Sequence, residues 1–404
     1  MGKLLTISKI CVKQIIRGCV GLLYKVLTLF PLKQKAVFIS TRSTGASENL
    51  TPLIEELQRR TITLRIVEYN GKIATNLTQL IKTPIFFMKM LYQLATARYI
   101  VIDDYCLPVY LVEKRQGVEV IQVWHAAGAL KKFGHSLKQI PTTTLQQYEQ
   151  ALISTHSNYD KAIVSSPAAI PAFAEAFQMP PENVLALGTP KTDVLLNPEF
   201  KATSIAKCDR FFKKINEATK RVVYAPTFRE INRKRERFTL PFKNIAALYA
   251  SLEQNNLILI VQLHPYNQKQ WQVPQEYRKR LQLNRSHMTT SELLVASDAL
   301  ITDYSSILFD YSLLAKPMAF FMPDIERYQS ERGFYDDILE KLPGEILQTE
   351  AALCEWLSKC DVEVASHVVS FKEKWFAETP GKASVNTIDY LLRQKTEDNL
   401  LKGE

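Results

Sequence analysis

Two histidines close apolar runs in this chain, each where an imidazole can move a proton or meet a phosphate. His125 follows the run Val118–Val123 and Trp124. It opens the stretch His125-Ala126-Ala127-Gly128-Ala129-Leu130-Lys131-Lys132-Phe133-Gly134. Small residues such as Gly128 let backbone approach a ligand closely, and Lys131 and Lys132 bring positive charge. An imidazole with an ordinary pKa of about 6.5 suits a general base near neutrality. A histidine bonded structurally at a strand end fits the same position. His264 closes Leu257–Leu263 and precedes Pro265. Two of the chain's six histidines in equivalent positions are a more specific signal than either alone. In Tyr224-Ala225-Pro226-Thr227-Phe228-Arg229-Glu230, Arg229 either clamps a phosphate or pairs with an acid. In Thr302-Asp303-Tyr304-Ser305-Ser306 an apolar run passes into a helix, whose free N–H groups and dipole favour an anion. Asp303 or Ser305 also fits as a plain N-cap. Asp103-Asp104 has the composition of a metal-binding pair but reads better as a strand end and a helix cap, so no metal site is expected. GxGxxG, Walker-lysine, HExxH and GxSxG motifs are absent. Metal-bridged phosphoryl transfer of the kinase type therefore lacks support.

These clusters need elements to hold them. From Ala36 onward, short apolar runs alternate with helical stretches. Strands are expected at Ala36–Ser40, Leu64–Glu68, Tyr99–Asp103, Val118–Val123, Ala162–Ser165 and Val184–Leu187. Helices are expected near 48–60, 78–96 and 167–178. A second series follows the polar stretch Asn197–Lys220. Its strands are Arg221–Ala225, Leu257–Leu263, Ala299–Thr302 and Pro317–Phe321, its helices lie near 243–254 and 305–315, and a helical tail covers 346–395. This alternation predicts parallel sheets covered on both faces. The predicted fold is α/β, with two Rossmann-like doubly wound domains facing a cleft and ligands beyond the strand carboxyl ends. The expected divisions are a basic amphipathic segment at 1–34, domains at 35–196 and 197–395, and a tail at 396–404. Gly45, Ser47 and Asn49 then border the cleft.

Composition narrows the function classes. The chain has 404 residues, of which 46% are apolar and 23% charged, which excludes collagen-like and fully disordered classes. Six cysteines without a CxxC pair exclude a disulfide scaffold and fit a reducing, intracellular setting. The net charge is +10, yet eight basic residues precede Glu48, the first acidic one, leaving only +2 for the rest. That distribution disfavours nucleic-acid binding, which spreads basic surface over a folded domain. Lys9, Lys13 and Arg17 fall four apart on one helical face, Lys25 interrupts the greasier stretch Gly18–Phe30, and no small-residue cleavage site follows. The segment is too short of apolar residues to span a bilayer. It fits a basic amphipathic helix lying on an anionic membrane surface; a helix packed on the body fits the same pattern. The helix near 84–96 reads better as core than as a second membrane contact.

Taken together, the His125 stretch, Tyr224–Arg229, His264-Pro265, Ser297–Ser306 with Phe309-Asp310-Tyr311, and Phe320–Asp324 with Arg332–Tyr335 resemble the CDP-glycerol glycerophosphotransferases. Gly188-Thr189-Pro190-Lys191-Thr192-Asp193 resembles that family's Gly-x-Pro-Arg-x-Asp turn, with Lys in place of Arg. The resemblance runs in consistent order from about Ala36 to Asp337. It implies a GT-B-like fold and a peripheral enzyme on the cytoplasmic side of the cell membrane, working in wall teichoic acid synthesis with other teichoic acid enzymes and without a cofactor. Such an enzyme moves glycerol 3-phosphate from CDP-glycerol to an undecaprenyl-diphosphate-linked ManNAc-GlcNAc acceptor and releases CMP. The Trp-His-Ala-Ala-Gly version looks more like the primase branch, and 404 residues leave no room for the extra N-terminal domain polymerases often carry. The resemblance assigns His125 as base, His264 and Arg229 to the diphosphate, and Ser305 and Ser306 to phosphate. Pro226, Thr227, Thr302, Asp303, Gly128 and Lys131 would line the substrate. A glycerol- or ribitol-phosphate polymerase, a nucleotide-sugar glycosyltransferase and a non-catalytic membrane scaffold are the rival readings.

Overall fold

A computed structural model describes residues 2–41, 47–60, 64–70, 84–137, 152–227, 230–231, 234–235, 242–263, 272–285, 288–335, 338–359, 366–376 and 380–402. The chain divides into two α/β units. The first comprises Met1–His125, Phe133–Asp193 and Lys382–Glu404; the second comprises Ala126–Lys132 and Val194–Gly381.

The first unit is built on six parallel strands: β1 (Lys33–Ser40), β2 (Arg65–Asn70), β3 (Ala97–Ile102), β4 (Glu119–Gln122), β5 (Lys161–Ile163) and β6 (Val184–Leu185). Their order is β2-β1-β3-β4-β5-β6, with Val37 opposite both Val67 and Ile100. Alternate residues go to opposite layers. Val37, Ile39, Ile100 and Ile102 pack on α1 (Gly2–Leu27) and the helix Pro84–Thr96 through Val20, Tyr24, Met90 and Leu94. Ala36, Phe38, Tyr99 and Val101 pack on α2 (Leu50–Arg59) and the final helix Ala383–Lys402 through Leu53, Leu57, Ile388 and Leu391. Burial on both faces is why these strands read as near-continuous apolar runs. Each fully buried Leu, Ile or Phe contributes roughly 1.5–3 kcal/mol.

The final helix belongs to the first unit, so the linear division at 196/197 gives way to one that returns after Gly381. Its start is held by Asp193, whose two carboxylate oxygens accept from the N–H groups of Ala383 (3.0 Å) and Ser384 (2.8 Å). Arg60 pairs with Asp389, and the Tyr390 hydroxyl donates to Glu119 at 2.6 Å. The Gly188–Asp193 turn thus serves the fold, because it caps a helix 190 residues away in sequence.

The second unit carries β7 (Lys220–Ala225), a small antiparallel ribbon of β8 (Glu230–Ile231) and β9 (Lys234–Arg235), then β10 (Leu257–Val261), β11 (Leu281–Leu283), β12 (Ala299–Thr302), β13 (Met318–Phe321) and β14 (Glu345–Leu347). The main sheet is parallel in the order β11-β10-β7-β12-β13-β14. Counting only the strands of this sheet, the order is 3-2-1-4-5-6, the doubly wound order whose switch point lies between its first and fourth strands. That point falls between β7 and β12. The polar stretch 197–220 contains a helix, Pro198–Phe211. Asn197 caps it by accepting from the N–H groups of Glu199 and Phe200. Only Ser204 and Cys208 of this helix are buried, so it carries no apolar stripe to read.

The N-terminal segment is one helix, and it is docked on its unit by Val20 and Tyr24. Arg17 donates to the Leu152 carbonyl, and Lys25 lies 3.9 Å from Glu113. Its opposite face leaves Val12, Ile15, Leu22 and Val26 exposed. Among the described residues no helix is long and apolar enough to cross a membrane.

Candidate active site

In the first unit the site is built at the ends of β3 and β4. Gln122, the last residue of β4, is fully buried. Its Oε1 accepts from the Trp124 N–H (2.8 Å), and its Nε2 donates to the Asp104 carbonyl (3.2 Å) and the Tyr159 hydroxyl (3.0 Å). Trp124 has φ +50°, a left-handed backbone that costs a bulky residue of order 1–3 kcal/mol and persists only when its surroundings fix it. The fixing groups are Gln122 and a ring cluster. Phe133 stacks on Trp124 at 5.2 Å, while Phe177 and His156 meet its edge at 5.3 and 5.7 Å. This turn folds His125 back, with its ring 4.3 Å from that of Trp124. His125 Nδ1 lies 3.4 Å from the Asp103 carbonyl oxygen and 3.8 Å from Asp104 Oδ1. Asp103 and Asp104 do not cap the next helix, whose N-cap is Cys106. Asp103 instead accepts from Ser47 Oγ at 2.5 Å, and Asp104 from the Tyr105 N–H at 2.8 Å. Ser47 and Asn49 are buried at the start of α2. No group of three metal-ligating side chains occurs among the described residues.

Behind Trp124 lies a second polar layer. His156 Nδ1 sits 3.2 Å from the Tyr159 hydroxyl, which contacts that of Tyr110. Burial, with His135 nearby, pushes the His156 imidazole down to about 4. Burial raises the Tyr159 phenol above its ordinary value and the Cys106 thiol to about 12. These residues are neutral supports near pH 7.

The motif after His125 is mostly a packing motif. Residues 126–132 belong to the second unit. Lys131 forms an antiparallel bridge with Phe334, the Lys132 N–H donates to the Gly333 carbonyl (3.2 Å), and the Tyr335 N–H donates to that of Leu130 (3.2 Å). A Cβ on Gly128 would lie 2.4 Å from the Phe309 ring. The space the glycine leaves is taken by that ring, which corrects the expected ligand approach. Gly134 has φ +55°, and its missing Cβ makes room for the Ala176 carbonyl.

In the second unit the switch point gathers the expected residues at the ends of β7 and β12. The Thr302 hydroxyl donates to the Ala225 carbonyl at 2.8 Å. Asp303 Oδ1 accepts from both the Thr227 N–H (2.8 Å) and hydroxyl (2.6 Å). Asp303 therefore shapes the loop that carries Pro226 and Thr227 and does not cap the following helix. That N-cap is Ser306, without a side-chain bond, and the Ile307 N–H reaches Ser305 Oγ at 3.4 Å. Both serines are half-buried. Tyr304 stacks on Tyr328 at 3.7 Å and donates to Asp324 at 2.9 Å. Lys131 Nζ stands 3.4 Å from the Tyr328 hydroxyl. Arg229, His264 and Gly45 lie outside the described residues, as does the side chain of Lys9; Lys13 is half-buried on α1. Gln122, His156 and Tyr159 escaped the sequence reading, and Asp104 entered it only as a strand end or helix cap. Their signals were a glutamine inside an apolar strand and the polar run Ser154–Asn158.

Two parallel, doubly wound units with polar clusters at the strand ends define a protein of GT-B-like fold. A solved wall teichoic acid polymerase, TagF, has the same fold, with a TM-score of 0.74 at 23% identity over 98% of each chain. A TagF H444N variant soaked with CDPG is equally similar, at TM-score 0.74. The family described as CDP-Glycerol:Poly(glycerophosphate) glycerophosphotransferase matches residues 22–393, and the chain belongs to it. A teichoic acid ribitol-phosphate primase of Bacillus spizizenii is 35% identical over 380 residues, 94% of this chain and 96% of that one. A teichoic acid glycerol-phosphate primase of Bacillus subtilis is 30% identical over 315 residues, 77% of each.

Proposed function

We propose that this chain transfers glycerol 3-phosphate from CDP-glycerol to a hydroxyl of an undecaprenyl-diphosphate-linked ManNAc-GlcNAc acceptor, releasing CMP, as the priming step of teichoic acid synthesis. The observation that carries the reading is the family match over residues 22–393. Similarity to a primase along nearly the whole of both chains supports single addition over polymerisation. The acceptor oxygen attacks the glycerol-bearing phosphorus, and the bond to the CMP oxygen breaks. His125 takes the hydroxyl proton. Arg229 and His264 stabilise charge on the departing phosphate. Ser305 and Ser306, at a helix start, hold phosphate, while Thr227 and Asp303 shape the loop beside them. Pro226, Thr302 and Lys131 complete the donor side.

An acceptor of this kind lives in a membrane, and the exposed face of α1 supports attachment on the cytoplasmic side. Val12, Ile15, Leu22 and Val26 offer an apolar band, with Leu29, Phe30, Ile85 and Phe86 also exposed on the same unit. Lys9, Lys13 and Lys25 supply charge for anionic headgroups; Arg17 donates to the Leu152 carbonyl, and Lys25 also lies 3.9 Å from Glu113. A second reading replaces the donor by CDP-ribitol, favoured by the 35% identity to a ribitol-phosphate primase. Offering both CDP-polyols in competition, with a lipid-linked disaccharide analogue, decides between them by product mass. One glycerol phosphate per acceptor supports the first reading, one ribitol phosphate the second. A ladder of additions overturns priming, and transfer only from a nucleotide sugar overturns both.

A further inference from the structure

Resting on that reading of His125 as the base, we propose that Asp104 is a positioning residue: with the Asp103 carbonyl it holds the His125 proton on Nδ1, so that Nε2 is the nitrogen that accepts the acceptor hydroxyl's proton. Two oxygens lie on the Nδ1 side of the ring, at 3.4 Å (Asp103 O) and 3.8 Å (Asp104 Oδ1). An N–H directed at a carbonyl and a carboxylate is favoured over a lone pair there, which leaves the lone pair on Nε2. Both aspartates are themselves held by neighbours. The Tyr105 N–H donates to Asp104 Oδ1, the Gln122 amide donates to the Asp104 carbonyl, and Ser47 Oγ donates to the Asp103 carboxylate. Ser47 Oγ is in turn placed by the N–H groups of Asn49 and Leu50, both at 3.2 Å. The His125 and Asp104 side chains are only 21% and 12% exposed, so the pair is shielded from bulk water.

Protons balance through the step. Nε2 takes the hydroxyl proton as the new O–P bond forms and the bond to CMP breaks. The resulting imidazolium, with protons on both nitrogens, is stabilised by the adjacent Asp104 carboxylate until its Nε2 proton passes to water. Among the described residues, the titratable groups packed around this end of the sheet include Asp103 and Asp104 from the end of β3, Tyr105, Cys106 and Tyr110 beyond them, and His135, His156 and Tyr159 on the Trp124 side. Burial holds the Cys106 thiol, the Tyr105 and Tyr159 phenols and the His156 imidazole in their neutral forms near pH 7. Among these groups, the Asp104 carboxylate is the charge placed against the His125 ring, at 3.8 Å.

The test uses the full chain labelled with 13C at histidine Cε1, titrated by NMR, with His125→Gln identifying the signal. Asp104→Asn is expected to lower the His125 pKa by about one unit and to lower kcat about tenfold or more. The KM for the CDP-polyol should change less than about threefold, and Asp104→Glu should recover part of kcat. An unchanged His125 pKa in Asp104→Asn overturns the proposal, as does an effect confined to KM. A folding control by circular dichroism accompanies each variant. Full transfer by His125→Ala would instead overturn the reading of His125 as base, while the NMR titration still reports on the pairing.

Discussion

Gly128→Ala should destabilise the protein because of a ring. The added Cβ would stand 2.4, 2.6 and 2.6 Å from three carbons of Phe309, where ordinary carbon contacts lie at about 3.5–4.0 Å. The ring cannot retreat easily. It is fully buried and packed against Trp375 at 4.8 Å and Phe371 at 5.5 Å. Relieving the clash needs a shift of roughly 1 Å in the ring or the 126–132 segment, and overpacking of this kind costs about 1–3 kcal/mol. For a unit of this size each kcal/mol lowers the melting temperature by roughly 2–4 °C, so the expected fall is roughly 2–12 °C. Differential scanning fluorimetry measures it. Adding Phe309→Leu should return the space, with a coupling of at least ~1 kcal/mol in the double-mutant cycle. If Gly128→Ala melts like the wild type but loses donor or acceptor affinity, the packing argument is wrong and the glycine serves a ligand.

Three further outcomes follow from named contacts. Asp193→Ala leaves the N–H groups of Ala383 and Ser384 unpaired, so the final helix should lose about 1–2 kcal/mol of anchoring. Hydrogen exchange over 383–391 should accelerate accordingly, and unchanged protection would contradict the capping role. Asp303→Ala removes the acceptor for both Thr227 donors and should raise the KM for the CDP-polyol several-fold; a pure kcat effect would argue against a donor-loop role. The third concerns pH. His156 is held down to about 4 against an ordinary 6.5. Between those values the unfolded chain binds a proton that the folded chain refuses. Stability should therefore fall as pH drops from 6.5 towards 4, by at most ~1.4 kcal/mol per unit. In His156→Gln that part of the slope should vanish, and an identical slope in both proteins would remove His156 as its source.

The fold was legible where burial on both faces makes a strand an apolar run, as at Ala36–Ser40 and Leu257–Val261. It was illegible where stability comes from caps and returns of the chain. The helix Pro198–Phe211 buries so little apolar surface that only Asn197-Pro198 marked it. β14 is three residues long, with Glu345 and Ile346 exposed, too short for a period. The return of the final helix rests on Asp193 and Arg60, which no local pattern reveals. At the site, sequence placed Thr227 and Asp303 correctly at neighbouring strand ends, because residues following parallel strands collect at one edge. It offered Asp303 as a substrate-lining residue or an N-cap and Gly128 as an opening, since neither the Thr227 bonds nor the Phe309 ring is local in sequence. The Gln122 network was hidden for the same reason: its partners come from the ends of β3 and β4 and from the loop before β5.

The central claim is that His125 supports transfer of a polyol phosphate to a lipid-linked acceptor. The most direct measurement is product mass and CMP release for wild type and His125→Ala, with the CDP-polyol and the acceptor analogue supplied together and separately. CMP release is expected only when both are present, with one polyol phosphate added per acceptor and a loss of at least about 100-fold in His125→Ala. Equal turnover by the variant, or CMP release without acceptor consumption, would contradict the claim.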